Sequence, residues 1–217
     1  MPRPQRIQFA GTLQHIVCRG NDRQALFAED SDYHKYLSLL DQSREIYGLE
    51  VYNYVLMGNF VHLLVTPTEE GALSKVMEHV TKEYAKYFNK KYNRTGHVFE
   101  GRFKSYLVQK EKFYFACTRY IDFSPLKDNA RLKAEDYPYS GYGQLAFGRR
   151  FTFALDQHEI YQGLGETVKE RQLAYRTLVV NYQGEAIDPL HMHGAIIGDI
   201  AFKRNARKGK KETKNEQ

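Results

Sequence analysis

The hydrophobic positions fall into two periods. Residues 11–19, GTLQHIVCR, read as a strand that the turn sequence Gly20-Asn21-Asp22 stops. Tyr36, Leu39, Leu40 and Ile46 then recur at helical spacing, which predicts a helix entered at Ser31 or Asp32 and ended at Gly48. Residues 49–57 and 60–67 are strand-like runs, and the pair Gly58-Asn59 between them suits a tight hairpin. A long stripe follows, Leu73, Val76, Met77, Val80, Tyr84, Tyr87 and Phe88, and predicts a second helix to Tyr92 with Lys75, Lys82, Lys86 and Lys90 on its other faces. Residues 102–110 form the next strand, and residues 111–123 a helix that Pro125 terminates.

The order strand, helix, strand, strand, helix, strand is that of an α+β, ferredoxin-like βαββαβ fold. It predicts an antiparallel sheet with two helices on one face and the other face free for a ligand, followed by an extra helix. Beyond Lys127 the periodicity weakens. Residues 135–148 suggest a turn and a short helix, and residues 166–182 a further helix through Val168, Leu173, Tyr175 and Leu178. After Lys203 the chain is charged without apolar periodicity, which predicts disorder. The division that results is 1–148 for the main domain, 149–202 for a helical C-terminal extension and 203–217 for a disordered basic tail.

Composition narrows the class. Hydrophobic residues make up 42% of 217, enough for a real core. No apolar run reaches the roughly 18 residues of a membrane span, and the N-terminus lacks the apolar stretch of a secretory signal. Cys18 and Cys117 are too few for a disulfide framework or a cysteine zinc site. A cytoplasmic protein is the default. Lys plus Arg is 32 against 26 acidic residues, a net +6 that suits a phosphate-bearing partner, although it also serves solubility. Seventeen tyrosines and no tryptophan, interleaved with lysines, are common equipment for single-stranded nucleic acid.

Several residues invite chemistry. Phe60 and His62 share one side of a strand, where two imidazoles would face a divalent ion together. With phenylalanine at the first position, His62 reads either as a packed histidine or as half of a metal site. Tyr120 lies on an apolar helical stripe with Phe113 and Cys117 and reads as core by spacing alone. Arg19 and Arg23 flank the first turn, and Arg102 and Lys104 surround Phe103. These four read as phosphate contacts or as solvated surface. His15 reads as structural. His191-Met192-His193 is a literal His-x-His outside any clear strand.

Four separated blocks add a resemblance. QHIVCRGNDRQALF, YVLMGNFVHLLVTP, YAKYFNKKYNRTGHVFEGRFKS and RYIDFSPL, within about residues 5–145, resemble in order and spacing the REP-associated tyrosine transposases, HUH single-tyrosine transposases of the insertion-sequence-200 type. The resemblance implies a nuclease that cuts and rejoins single-stranded DNA at the foot of a hairpin. It implies Mg²⁺ or Mn²⁺ held by two strand histidines and a polar residue of the helix after the last strand. It also implies a helix tyrosine that attacks phosphorus and leaves a 5′-phosphotyrosine. By position His62 is the second strand histidine and Tyr120 the nucleophile, with Tyr114 the fallback.

Three departures accompany the match. Phe60 stands where the family usually has histidine, Ser124 where it usually has asparagine or glutamine, and Glu100 where glutamine is frequent. Ser124 could offer a hydroxyl, and Asp122 a carboxylate if the helix end unwinds. The expectation is hairpin DNA binding with reduced or absent cleavage. An inactive, domesticated DNA-binding protein is the first alternative. An RNA-binding ferredoxin-like domain is the second, with Phe60 and Tyr52 or Tyr54 as stacking platforms. The sequence leaves a homodimer open.

Overall fold

Strand β1 (Gln14–Arg19) runs through the middle of the sheet, paired with a strand on either side, and its residues alternate between two different cores. The structure is a computed structural model that describes residues 9–128, 131–149, 153–190, 192 and 194–215. After β1 come α1 (Asp30–Tyr47), β2 (Leu49–Leu56), β3 (Phe60–Pro67), α2 (Ala72–Lys91), β4 (Lys104–Val108) and α3 (Lys110–Asp128). Short helices α4 (Tyr142–Phe147) and α5 (Glu159–Gln162), helix α6 (Val168–Val180), a two-residue strand β5 (Ile196–Ile197) and α7 (Ile200–Asn215) complete the order.

The sheet order is β2-β3-β1-β4-β5. Its first four strands pair antiparallel, as a ferredoxin-like topology requires, while β5 adds a short parallel edge to β4. The sheet is therefore mixed, not wholly antiparallel. The Gly58-Asn59 turn closes the hairpin as expected, with Met57 and Phe60 exchanging backbone hydrogen bonds of 2.8 and 3.3 Å. Gly48 ends α1 in the left-handed conformation at φ 78°.

On one face, Ile16, Cys18, Val61, Leu63 and Val65 pack under α1 and α2, against Tyr36, Leu40, Val76, Val80 and Tyr84. The α2 stripe falls where its spacing placed it. In α1 the stripe ends early, since Ile46 is exposed. The N-cap of α1 is Glu29, with Asp32 closing a capping box, two or three residues ahead of the position expected at Ser31 or Asp32.

The second face is not free. Helix α3 lies across it, and Phe113, Cys117 and Ile121 meet Leu13, Val17, Leu64, Tyr106 and Val108. Ile187, Leu190 and Met192 of the C-terminal extension close over the same cluster. The physical reason is that both α3 and this side of the sheet carry large apolar groups, whose burial removes them from water together.

Pro125 does not terminate α3, which continues to Asp128. Proline costs the one ladder bond that would reach the carbonyl of Ile121, and the packing of Ile121 and Leu126 on either side holds the helix across it. In α6 the inward residues are Tyr175 and Val179, while Val168 and Leu173 of the expected stripe are exposed.

The stretch from Lys203, expected to be disordered, continues helix α7 to Asn215. Asp199 accepts from the backbone N–H of Phe202 at 2.8 Å, and Phe202 and Ala206 pack against Leu107, Ile196 and Phe9. Phe202 and Ala206 anchor the first turns of this helix, contacts that composition does not display. No described helix is long and apolar enough to cross a membrane.

Candidate nucleic-acid interface

The four basic residues singled out in the sequence meet in one place. Arg19, Arg23, Arg102 and Lys104 line a single cleft of about 540 Å³, together with Val17, Asn59, Phe60, Glu100, Gly101 and Leu190. Arg19 ends β1, Lys104 begins β4 and Phe60 begins β3, so these neighbouring antiparallel strands deliver three of these side chains to one end of the sheet. The first turn supplies Arg23. Asp22 and Arg23 both hold left-handed backbone conformations, at φ 49° and 59°. Gly20 is required there, because a Cβ would lie 2.1 Å from the carbonyl oxygen of Gln24.

Glu100 intrudes on this positive field. Its carboxylate pairs with Arg19 at 3.2 Å. The α2 lysines Lys75, Lys82, Lys86 and Lys90 do not line the cleft and are exposed, which assigns them to a solvated face.

Next to the cleft, the second face of the sheet gathers the chemistry. The rings of His62 and Tyr120 lie 5.3 Å apart, centroid to centroid, at 73°. His15 completes a triangle, 5.4 Å from His62 and 5.8 Å from Tyr120. The register explains the third ring: β1 pairs Val17 with His62 and His15 with Leu64, which sets His15 diagonally across from His62 on the same face. The tyrosine and the strand histidine thus face each other under α3.

Both histidines are buried. Burial pushes His62 down to about 3, with Lys127 adding to the effect and Asp188 opposing it. His15 is lowered as well, by burial and then by His62. A hydrogen bond of 3.2 Å joins His15 Nε2 to His62 Nδ1, and His15 Nδ1 has no partner. An N–H left without an acceptor is the costly case. This favours the proton on His15 Nε2, donated to His62 Nδ1.

Tyr120 is also largely buried, and burial raises its phenol above the usual tyrosine value, with Asp188 adding to the rise. Its hydroxyl donates to Asp188 Oδ1 at 3.4 Å. The Lys127 ammonium stands 4.1 Å from the ring centroid. Lys127 reaches that place only because α3 continues past Pro125, two turns beyond Tyr120. Neither Lys127 nor Asp188 was singled out in the sequence. A seven-residue spacing from Tyr120 was the available sign of the first, whereas Asp188 comes from a segment with no periodicity.

The remaining expected ligands do not converge. Phe60 offers no donor atom, and its ring lies 6.2 Å from that of His62. Ser124 is turned to the Tyr120 carbonyl. Asp122 stays in the helix and accepts from Asn53 Nδ2 at 2.8 Å and from the Tyr175 hydroxyl at 2.6 Å, inside the core. The unwinding that would free it does not occur. Among the described residues no three His, Cys, Asp or Glu side chains are placed to hold a metal ion. The donor set implied for Mg²⁺ or Mn²⁺ therefore does not fit this arrangement. His191 and His193 lie outside the described residues.

Two lesser expectations resolve plainly. Tyr114 is buried and stacks on His158 at 4.7 Å, a packing role. Tyr52 and Tyr54 are 6% and 0% exposed, so neither offers a stacking surface.

Residues 9–123 match the family model described as Transposase IS200 like. The chain belongs to the IS200-like transposase family. The match takes in β1, β3 and α3 up to Phe123, and with them His15, His62 and Tyr120. No curated protein matches this family member. Among solved structures it is similar to a REP-associated tyrosine transposase bound to a REP hairpin, with 16% identity and a TM-score of 0.58 over 73% of this chain and 100% of that one. At that identity the likeness concerns the fold. A protein of Deinococcus radiodurans R1 assigned as a transposase gives 14% identity and a TM-score of 0.39, over 51% of this chain and 88% of that one, too loose to carry an argument.

Proposed function

We propose that this member of the IS200-like transposase family is of the REP-associated kind and binds single-stranded DNA folded into a hairpin. The observation that carries the reading is the cleft in which Arg19, Arg23, Arg102 and Lys104 converge beside the Tyr120–His62 pair. Phosphates on clustered Arg and Lys supply the sequence-independent part of such binding. The protein of similar fold bound to a REP hairpin supports the same ligand class. A cytoplasmic location suits the role.

We further propose that metal-assisted, tyrosine-mediated cleavage and rejoining is impaired in this chain. In the family chemistry a divalent ion polarises the phosphate while a phenolate attacks. Here Phe60 removes one ligand, Ser124 and Asp122 are engaged elsewhere, and burial with Asp188 holds the phenol proton in place. An inactive binding protein is the limiting form of this proposal. The RNA-binding alternative loses Tyr52 and Tyr54, which are core, and keeps only Phe60 as a stacking surface.

The test is a purified chain mixed with a hairpin oligonucleotide carrying single-stranded flanks. Salt-sensitive complex formation is expected. Absence of binding at low salt would contradict the reading.

A further inference from the structure

Phe60 is the aromatic side chain among the described residues that line the basic cleft. It begins β3 immediately after the Gly58-Asn59 turn and is partly exposed, although the rest of its strand is buried. Across the ladder its partner is Arg19, whose guanidinium carbon stands 5.4 Å from the ring centroid. On the inner side the nearly parallel His62 ring, inclined at 21°, supports it. The ring thus lies between Arg19 of the neighbouring strand and His62 of its own, facing a cavity that Arg19, Arg23, Arg102 and Lys104 line together with Glu100 and uncharged residues.

This is the equipment with which proteins take up unpaired bases: a flat π surface for the base and cations for the phosphates on either side. A partly exposed phenylalanine gains nothing from water in such a cleft, and a nucleobase would cover it. The volume of about 540 Å³ leaves room for a nucleotide.

We propose that Phe60 is a nucleobase platform, on which one unpaired base flanking the hairpin stem stacks while Arg19, Arg102 and Lys104 hold the adjoining phosphates. The proposal rests on the hairpin-binding reading and adds the ligand subsite to it. On this view the residue that removes a donor from the metal position gives the same place a stacking function. Stacking is tolerant of base identity, so the subsite confers register more than sequence.

The experiment places 2-aminopurine, one position at a time, through the single-stranded flanks of a hairpin oligonucleotide. It compares the unmodified chain with Phe60→Leu and Phe60→Trp. Expected is fluorescence quenching at one flank position, retained by Phe60→Trp and lost by Phe60→Leu. Phe60→Leu should bind the flanked hairpin roughly ten-fold more weakly, within the range found when stacking aromatics are removed. That difference should vanish on a hairpin with an abasic site at the quenched position. If Phe60→Leu binds as tightly as the unmodified chain while Arg102→Ala weakens binding, the cleft holds DNA and the platform is overturned. If the unmodified chain binds no hairpin, the hairpin reading falls and takes the platform with it.

Discussion

His62 and Tyr120 come from positions 58 residues apart and meet with ring centroids at 5.3 Å beneath helix α3. The meeting depends on β3 holding His62 on the face opposite α1 and α2, and on α3 returning across that face after β4. What the pair lacks is a second metal ligand in the place of Phe60.

That lack is open to repair. Phe60→His puts an imidazole on the same side of β3 as His62, two residues away. Expected is a gain in Mn²⁺ affinity, read by paramagnetic resonance titration without DNA. Ser124→Asn alone should give none, since that position faces the Tyr120 carbonyl. Equal Mn²⁺ binding by Phe60→His and the unmodified chain would show that the missing imidazole is not what limits the site.

Glu100 should act as a brake on DNA. Its ion pair with Arg19 is partly exposed and contributes little to stability, but it competes with a phosphate for the guanidinium. Glu100→Gln should tighten hairpin binding by about two- to five-fold at low salt, and the gain should shrink as salt rises. Filter binding across a salt series measures this. Unchanged affinity would mean that Arg19 does not contact the backbone.

The cations of the cleft should weaken binding when removed. Arg102→Ala or Lys104→Ala should each lower affinity for hairpins of any sequence and reduce the slope of log affinity against log salt by about one. A variant that loses affinity with the slope intact would point to a contact other than phosphate.

Asp122 sets a pH dependence of stability. Burial pushes its carboxyl up to about 7, against the hydrogen bonds from Asn53 and Tyr175. A folded-state value above the unfolded one means that the native state keeps the proton longer. Its stabilising contribution is full below the unfolded value, near 4, and is lost as pH rises through about 7. Asp122→Asn should remove the component of the profile that falls as pH rises between about 4 and 7, leaving the opposite rise that the lowered His15 and His62 give up to about 6.5, measured by denaturant unfolding. A profile in that window that does not steepen upward with pH in the variant would contradict the assignment to Asp122.

Much of this was legible in the sequence because its signals are local. The Gly58-Asn59 turn, Gly48 at the end of α1 and the stripe from Leu73 to Phe88 each act over a few residues. The converging basic residues were legible only through the matching blocks, since Arg19 and Lys104 are distant along the chain. What escaped depends on partners that periodicity cannot name. The apolar stripe of α3 announced that it would be buried, but not that it would cover the face read as free. Pro125 read as a stop, because a proline shows its lost donor and not the tertiary packing of Ile121 and Leu126 around it. Asp188 entered from a segment without pattern, held over Tyr120 by the packing of Ile187 and Leu190 and by the Tyr106 hydroxyl, which donates to the Pro189 carbonyl. Among its described side chains, helix α7 packs Phe202 and Ala206 against Leu107 and Ile196.

The most direct measurement is a covalent-adduct assay: the unmodified chain, Mn²⁺ and a labelled hairpin oligonucleotide, resolved under denaturing conditions and, in parallel, on a native gel. Expected is a shifted native complex with little or no protein–DNA adduct after denaturation. Abundant adduct that disappears in Tyr120→Phe would contradict an impaired tyrosine site.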